Sequence, residues 1–239
     1  MFHIGRSGSS VLADMFFQHT DLVWGGEIYR RLIKKLDKPD LRMMRLPDPV
    51  AFVAEQFDDK AATNYGFEVK FFHLDLLDIP LARYVNELAQ MGVDRFIVLR
   101  RNNYLRKVVS SLVAKETGVW HIRDNSNPRP AAVRVDVDDL RLDRQNGPLL
   151  THLEKFDEDF RRLDTLLAGL PALKISYEED VERDPLVAYR KIADFCGLAT
   201  INPEVRLRKT NPYPLRDLIT NYEEVRVYLA ESDFAWMVE

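Results

Sequence analysis

Residues 2–12 of the chain read Phe2-His3-Ile4-Gly5-Arg6-Ser7-Gly8-Ser9-Ser10-Val11-Leu12. A short apolar strand leads into a loop with two glycines and three serines, and an apolar-periodic segment follows from Val11 to Phe17. Glycines let a backbone approach a ligand closely, and serines can cap the helix that follows. Free N–H groups at the start of that helix, together with its dipole, favour a phosphate or sulfate group. The stretch therefore predicts a strand, an anion-binding loop and a helix.

Arg6 adds a fixed positive charge with a forked donor geometry to this loop. The loop is not a Walker A sequence, because no Lys-Ser or Lys-Thr pair follows its second glycine. An ordinary Gly/Ser turn between a strand and a helix is the alternative interpretation of the same residues.

The composition is that of a globular α/β domain. At 239 residues, with 46% hydrophobic and 30% charged residues, the chain suits a single domain over residues 1–239. Its net charge of −4 argues against a general nucleic-acid binder. The single cysteine, Cys196, excludes an internal disulfide and a cysteine-cluster metal site, and it indicates a reducing compartment. We expect no signal peptide and no membrane-spanning segment, and hence a cytoplasmic location.

Strand-like and helical segments alternate along the chain. We expect strands over Gly66–Leu74, Arg95–Leu99 and Ala172–Tyr177, with helices between them. Gly25-Gly26 is expected to form a turn, and Glu27 is expected at the start of a helix that runs to about Leu36. This alternation predicts an α/β, P-loop-like three-layer fold, in which a central parallel sheet of about four to five strands carries helices on both faces.

Three predicted strand ends carry groups suited to anionic ligands. They are the Gly5–Ser10 loop, the Arg100-Arg101 pair and the segment from Lys70 to His73. Ligands of open α/β sheets bind at the carboxyl ends of strands. The helix after Arg101 carries Ser110 off its apolar stripe. A ligand with two separate anionic groups would therefore account for the first two of these sites.

The chain resembles the sulfotransferases that use 3′-phosphoadenosine 5′-phosphosulfate (PAPS), and their bacterial members most. Each of the four motifs that carry this resemblance is weak alone, but their order and spacing together are specific. In chain order, the motifs are the 5′-phosphosulfate loop (residues 5–10), the 3′-phosphate motif (98–102 with Ser110), the Tyr-Glu-Asp segment with the helix after it (175–198) and the ending of several bacterial members (209–236).

The resemblance implies transfer of a sulfuryl group from PAPS to an acceptor hydroxyl, without a metal, and release of adenosine 3′,5′-bisphosphate. The implied catalytic residues are Arg6, Lys70 and a base, which is either Glu27 or His73. The implied cofactor-binding residues are Arg6, Ser7, Gly8, Ser9, Ser10, Arg101, Ser110, Tyr177, Arg208 and Lys209.

The base has two candidates. Glu27 resembles the glutamate that follows the first helix in bacterial carbohydrate sulfotransferases. His73 lies three residues after Lys70 and resembles the strand-end histidine of cytosolic members, in which the spacing is two. An unperturbed histidine titrates near neutral pH, whereas a glutamate needs help from its surroundings to act as a base. A solvated acid at a helix start and a satisfied strand-end histidine are the structural alternatives.

The chain departs from the family pattern at both anion sites. Arg6 stands where cytosolic members have a lysine, so the group that assists the leaving phosphosulfate would be a guanidinium. Ser110 lies nine residues after Arg101, where the usual spacing is eight. Ser111 and Arg100 are therefore alternative ligands of the 3′-phosphate.

Two further segments are interpreted through the resemblance. Residues 118–147 have no periodic pattern and are predicted to form a lid or substrate loop. Residues 206–239 hold a basic cluster, a proline-interrupted loop and a last helix, and are predicted to cover the cofactor. The segments around Trp24 and Trp120 are predicted to shape the acceptor pocket.

Two other functions fit parts of the sequence. A P-loop kinase-like phosphotransferase would need a Gly-Lys-Ser/Thr run and an acidic metal ligand at a strand end, and neither stands in the expected place. A non-catalytic nucleotide-binding regulatory protein would keep the anion loop without needing Glu27 or His73. For an enzyme, we expect a hydroxyl-bearing small-molecule, carbohydrate or lipid acceptor and no nucleic acid. The sequence is compatible with a homodimer.

Overall fold

The computed structural model of the chain describes residues 1–36, 48–58, 64–123 and 130–239. In chain order, its strands are β1 (Phe2–His3), β2 (Val23–Glu27), β3 (Tyr65–Lys70), β4 (Phe96–Arg100), β5 (Ile122–Arg123), β6 (Leu140–Leu142), β7 (Gln145–Gly147), β8 (Ala172–Ser176) and β9 (Leu207–Arg208). Its helices are α1 (Ser9–Phe16), α2 (Arg30–Leu36), α3 (Pro49–Asp58), α4 (Phe71–Leu76), α5 (Leu81–Gln90), α6 (Tyr104–Thr117), α7 (Leu149–Leu166), α8 (Pro185–Cys196), α9 (Leu215–Leu218) and α10 (Tyr222–Leu229). A π-helical turn spans Tyr177–Val181 and a 3₁₀ turn spans Ala235–Val238.

Within the described residues, five strands form one parallel sheet in the order β2-β3-β1-β4-β8. Phe2 of β1 pairs with Val69 of β3 and with Val98 of β4. The apolar residues 96–99 of β4 are all buried, as expected for a parallel strand that is covered on both faces. The predicted α/β fold with a central parallel sheet of four to five strands is confirmed.

Helices cover both faces of this sheet. On one face the ring of Phe16 of α1 packs against Trp24 and against Tyr189 of α8, with centroids 4.6 and 5.4 Å apart. On the other face Phe2 packs against Tyr84 of α5, with ring centroids 6.1 Å apart. Successive strand residues point to opposite faces, so the strands bury side chains in both layers. The three-layer arrangement follows from this packing.

The described residues divide into two compact units. The first comprises Met1–Arg100 and Arg161–Val205 and contains the parallel sheet. The second comprises Arg101–Phe160 and Arg206–Glu239. Among the described residues of both units, no helix combines the length and apolar character that crossing a bilayer would need.

The second unit is built around α6. Asn103 caps this helix, because its Oδ1 accepts a hydrogen bond from the N–H of Arg106. Strand β5 pairs antiparallel with β9, and β6 pairs antiparallel with β7. The β6–β7 hairpin turns at Asp143 and Arg144, which both have positive φ. The predicted loop 118–147 thus contains β5 and this hairpin, and its residues 124–129 lie outside the described residues.

The expected position of Glu27 is wrong. Glu27 is the last residue of β2, and α2 begins only at Arg30. The sequence Gly25-Gly26 was expected to form a turn, but both glycines lie in the strand. A Cβ at Gly25 would lie 2.3 Å from the hydroxyl oxygen of Tyr65 on β3, so the missing side chain lets the neighbouring strand approach.

The expected position of His73 is also wrong, because β3 ends at Lys70 and α4 begins at Phe71. His73 therefore lies in the first turn of a helix and not at a strand end. Phe71 and Leu74 are both buried and are spaced by three residues, as on one face of a helix. A short apolar run does not by itself distinguish a buried strand from a buried helix.

Candidate functional site

The loop between β1 and α1, residues 5–10, is here called the anion loop. Gly5, Arg6 and Gly8 have φ values of 77°, 54° and 85°, in the left-handed region. A Cβ at Gly8 would lie 2.6 Å from Cγ1 of Val181 and 3.1 Å from a ring carbon of Tyr177. Gly8 is therefore required both by its backbone angle and by its neighbours.

The amino end of α1 has the features of an anion site. Gly8 is the N-cap and gives the first turn no side-chain cap, and no acidic residue lies in that turn. Ser7 is fully buried, and its Oγ has no hydrogen-bond partner within the part of the chain that the structure describes. Helix N–H groups and a buried hydroxyl are suited to bind the oxygens of a phosphate or sulfate group.

Lys70, at the end of β3, connects the anion loop to Glu27. Its Cε would lie 3.5 Å from a Cβ at Gly5, so the lysine side chain passes directly beside the loop. Its Nζ lies 2.7 Å from Oε1 of Glu27. The other carboxylate oxygen, Oε2, lies 3.8 Å from Nε2 of His73. The structure thus brings together the loop, the lysine and both candidate bases.

The two candidate bases differ in how far their side chains are exposed to solvent. The side chain of Glu27 is 28% exposed, whereas that of His73 is 3% exposed. His73 also packs edge-on against the ring of Phe72, with centroids 4.6 Å apart. A base must reach the proton of its substrate within hydrogen-bond distance, and the more exposed carboxylate offers the easier access.

The carboxyl ends of the three neighbouring strands form one polar face. His3 of β1 pairs in register with Lys70, and Glu27 of β2 pairs with Glu68 of β3. Because side chains alternate along a strand, Glu68 and Lys70 point to the same face. His3 and Glu68 are not among the site residues predicted from the sequence. The feature of the sequence that could have identified them is a polar residue inside a short apolar strand, next to Phe2 for His3 and between Phe67 and Val69 for Glu68.

Glu68 is a buried carboxylate with two partners. Its Oε2 lies 3.1 Å from Nε2 of His3, and its Oε1 accepts a hydrogen bond of 3.2 Å from Nε1 of Trp24. Burial raises the pKa of Glu68, but the contacts with His3 and Trp24 and the charge of Lys70 outweigh burial and hold that pKa below its ordinary value. Burial lowers the pKa of His3, although Glu68 opposes the shift. We therefore assign an ionised Glu68 and a neutral His3.

Trp24 does not have the environment expected of a residue that lines an acceptor pocket. It is buried in the apolar core of the first unit, against Phe16, and its indole N–H is bonded to Glu68. The Trp24 side chain thus fills the layer between sheet and helix, and the role of the segment around it in the acceptor pocket stays a prediction. Trp120, by contrast, is 48% exposed.

Tyr177 packs against the anion loop at Gly8 and is buried. The predicted strand 172–177 ends one residue early, at Ser176, and Tyr177 begins the π-helical turn. Asp180 fixes this turn, because its Oδ2 accepts from the N–H of Ser176 and its Oδ1 accepts from Nζ of Lys191.

Arg100, an alternative ligand of the 3′-phosphate, is engaged in an ion pair in the first unit. Its Nη2 lies 2.7 Å from Oδ2 of Asp164, and Nζ of Lys174 lies 2.8 Å from the same oxygen. Arg101 follows Arg100 directly and is buried in the second unit.

The second unit brings the C-terminal segment onto α6. Ser110 is buried, and its Oγ accepts a hydrogen bond of 3.3 Å from Nδ2 of Asn211. Nη1 of Arg106 donates to the carbonyl of Tyr213, and Nδ2 of Asn103 donates to the carbonyl of Met237. Arg208, in β9, is exposed, and Lys209 is half-buried.

The chain was compared with protein families, with curated proteins and with solved structures. No protein-family model matches the chain, and no curated protein matches it. The chain is similar to the sulfotransferase from Alicyclobacillus acidocaldarius, with a TM-score of 0.49 and 16% sequence identity over 100% of this chain and 93% of that chain. In the described residues, no group of three or more His, Cys, Asp or Glu side chains is arranged to hold a metal ion.

Proposed function

We propose that the chain is a PAPS-dependent sulfotransferase, which moves a sulfuryl group to the hydroxyl of a small-molecule, carbohydrate or lipid acceptor. The observation that carries this proposal is the position of Lys70, beside Gly5 of the anion loop and 2.7 Å from Glu27. An anion-binding loop, a cation and a carboxylate base within one contact network are what an in-line transfer to a hydroxyl requires.

In this proposal the anion loop holds the 5′-phosphosulfate. The first-turn N–H groups of α1, the hydroxyls of Ser7, Ser9 and Ser10, and the guanidinium of Arg6 supply its donors. Support comes from the buried Ser7 Oγ and from the uncapped amino end of α1. Charge-assisted hydrogen bonds of this kind are about twice as strong as neutral ones.

Glu27 is proposed as the base. It takes the proton of the acceptor hydroxyl while the hydroxyl oxygen forms a bond to sulfur and the bond from sulfur to the bridging phosphate oxygen breaks. Arg6 and Lys70 offset the negative charge that develops on the bridging oxygen and on the sulfuryl oxygens. The products are the sulfated acceptor, adenosine 3′,5′-bisphosphate and one proton. PAPS supplies the sulfuryl group already attached to a good leaving group.

Arg101 and Ser110 are proposed as ligands of the 3′-phosphate. In favour of Arg101 is its position directly after the carboxyl end of β4, where open α/β sheets bind their ligands. In favour of Ser110 is its buried hydroxyl next to the amide of Asn211. Tyr177 is proposed to contact the adenine, and Arg208 and Lys209 are proposed to bind phosphate from the C-terminal segment. We also propose that residues 118–147 border the acceptor.

Calorimetric titration tests the cofactor class. We expect adenosine 3′,5′-bisphosphate to bind without added metal and ATP with magnesium to bind weakly. Transfer of labelled sulfate from PAPS to a panel of hydroxyl acceptors then tests the reaction. Binding of ATP but not of the bisphosphate would favour a kinase-like phosphotransferase. Binding of the bisphosphate without turnover on any acceptor would favour a non-catalytic nucleotide-binding protein.

A further inference from the structure

We propose that His3 is a positioning residue for the anion loop. In this inference His3 holds the loop through the backbone N–H of Gly5, and the buried carboxylate of Glu68 fixes the imidazole tautomer that makes this bond possible. The inference deepens the proposed function, since it rests on that function for the identity of the anion.

The neighbours of the His3 ring determine which of its nitrogens carries the proton. Its Nδ1 accepts a hydrogen bond of 3.1 Å from the N–H of Gly5. A neutral imidazole has one acceptor nitrogen and one N–H, so the proton lies on Nε2. Nε2 lies 3.1 Å from Oε2 of Glu68. His3 is fully buried, so water does not compete for either nitrogen.

The carboxylate of Glu68 stabilises this tautomer. Glu68 carries no proton to donate when it is ionised, so it can only accept hydrogen bonds. Its Oε1 accepts one from Trp24, and its Oε2 is the atom that faces Nε2 of His3. If the proton moved to Nδ1 of His3, the lone pair on Nε2 would face the carboxylate in a buried site. Nδ1–H would then face the Gly5 N–H. Both arrangements are unfavourable in a buried site. The neighbouring Gly5 N–H and Glu68 carboxylate therefore favour the Nε2–H form of His3.

His3 also fixes the start of the anion loop. Its bond to the N–H of Gly5 holds the loop where it leaves β1. Arg6, the next residue, has a φ of 54°, which is unfavourable for a non-glycine residue. Contacts at the loop entry must offset that cost. Gly5 also lies beside Lys70, so a shift at Gly5 would disturb the contact between Lys70 and Glu27.

Two substitutions of His3 test the roles of its two ring nitrogens one at a time. The amide of His3→Asn reaches the position of Nδ1, so its oxygen can accept from Gly5. The amide of His3→Gln reaches towards the position of Nε2 and keeps a donor for Glu68, but it offers no acceptor to Gly5. We expect His3→Asn to bind adenosine 3′,5′-bisphosphate nearly as the wild type does. We expect His3→Gln to bind it about tenfold more weakly, the fold-change of one lost hydrogen bond.

His19 supplies a matched control in the same unit. Its Nδ1 accepts a hydrogen bond of 3.0 Å from the N–H of Asp21, also two residues along the chain, but away from the anion loop. His19→Gln removes the same kind of bond and is expected to leave the affinity for the bisphosphate unchanged. Thermal unfolding of the three variants shows how much each one destabilises the fold. The proposal would be overturned if the affinity for the bisphosphate fell in proportion to the loss of thermal stability in all three variants.

Two readouts do not depend on the ligand. The ¹⁵N shifts of the His3 ring in the wild-type protein are expected to show the Nε2–H tautomer, and the Gly5 amide is expected to exchange slowly with solvent. In His3→Gln the Gly5 amide should exchange faster, whereas in His3→Asn it should stay protected. An Nδ1–H tautomer, or an unprotected Gly5 amide in the wild type, would overturn the role of His3. Absence of bisphosphate binding to the wild type, with both readouts as expected, would instead reject the proposed function.

Discussion

The ammonium nitrogen of Lys70 lies 2.7 Å from Oε1 of Glu27, and the same lysine side chain passes beside Gly5. The two residues come from neighbouring parallel strands whose carboxyl ends meet at one edge of the sheet. Neither side chain is fully buried, so the pair stays accessible to a substrate. A carboxylate beside a lysine that also borders an anion loop is the relationship on which the proposed chemistry depends.

Replacement of Glu27 by glutamine tests the proposed base. Glu27→Gln keeps the size of the side chain but accepts no proton, so we expect turnover to fall by about 10²- to 10⁴-fold. The affinity for adenosine 3′,5′-bisphosphate should be retained. Glu87→Gln, which changes a carboxylate on α5 that pairs with Arg83, serves as control. Unchanged turnover in Glu27→Gln would transfer the role of base to His73.

The contact between Lys70 and Glu27 can be measured by a double-mutant cycle. We expect Lys70→Met to lower both the affinity for the bisphosphate and the turnover, because this lysine borders the loop as well as Glu27. The effects of Lys70→Met and Glu27→Gln on turnover should not add, since the residues are in direct contact. Lys34→Met, at an exposed position on α2, is the control. Strictly additive effects would mean that the two side chains act independently.

Replacement of Arg101 tests the proposed 3′-phosphate contact. Arg101→Ala should weaken binding of adenosine 3′,5′-bisphosphate by about 10- to 100-fold, the range of one lost hydrogen bond to a charged group. Binding of adenosine 5′-phosphosulfate, which has no 3′-phosphate, should scarcely change. Equal losses for the two ligands in calorimetric titrations would reject this role.

Gly8→Ala tests the close packing of the anion loop. The substitution combines a left-handed backbone angle with a clash against Val181, so we expect the free energy of unfolding to fall by about 2–4 kcal/mol. Gly169→Ala is the matched control, because Gly169 has a φ of 87° but no atom within 4 Å of its added Cβ. We expect about 1–2 kcal/mol for that change. Urea unfolding measures both values, and equal losses would contradict the packing at Gly8.

The stability of the protein should depend on pH through His3. Its pKa in the folded protein is lowered below the usual 6.5 by burial, against the opposing effect of Glu68. The unfolded chain therefore takes up this proton first, so the stability due to neutral His3 is complete above about pH 6.5 and falls as the pH decreases from there towards the folded pKa. The charged groups that act on His3 are Glu68, Lys70 and Glu27.

The comparison that isolates this effect is wild type against His3→Asn. We expect the difference in their free energies of unfolding, measured in urea at pH 7.5 and at acidic pH, to shrink as the pH falls. A difference that stays constant, or grows, would show that His3 does not titrate with a lowered pKa.

The sequence predicted the parts of the structure that local patterns determine. The anion loop follows from its glycines and serines between apolar segments, and β4 follows from four apolar residues in a row. The errors at Glu27 and His73 concern boundaries, where Gly25-Gly26 was interpreted as a turn and the run after Lys70 as a strand. Such boundaries depend on which strand lies alongside, since Gly25 belongs in β2 because Tyr65 packs against it.

The pairings at the candidate site depend on contacts far apart in the sequence. His3 and Glu68, or Glu27 and Lys70, meet only after the order β2-β3-β1 brings their strand ends together. No periodicity or local motif specifies that order. The residue types expected at the site were therefore predictable, whereas the choice of partners was not.

The π-helical turn at Tyr177–Val181 has a mechanical consequence. Gly8 is the first residue before α1, and only a hydrogen atom fits where it faces Val181 and Tyr177. A displacement at the start of α1 would therefore have to move the π-helical turn, which follows directly after β8. An anion bound to the loop as proposed would thus be coupled to the ring of Tyr177 by direct packing.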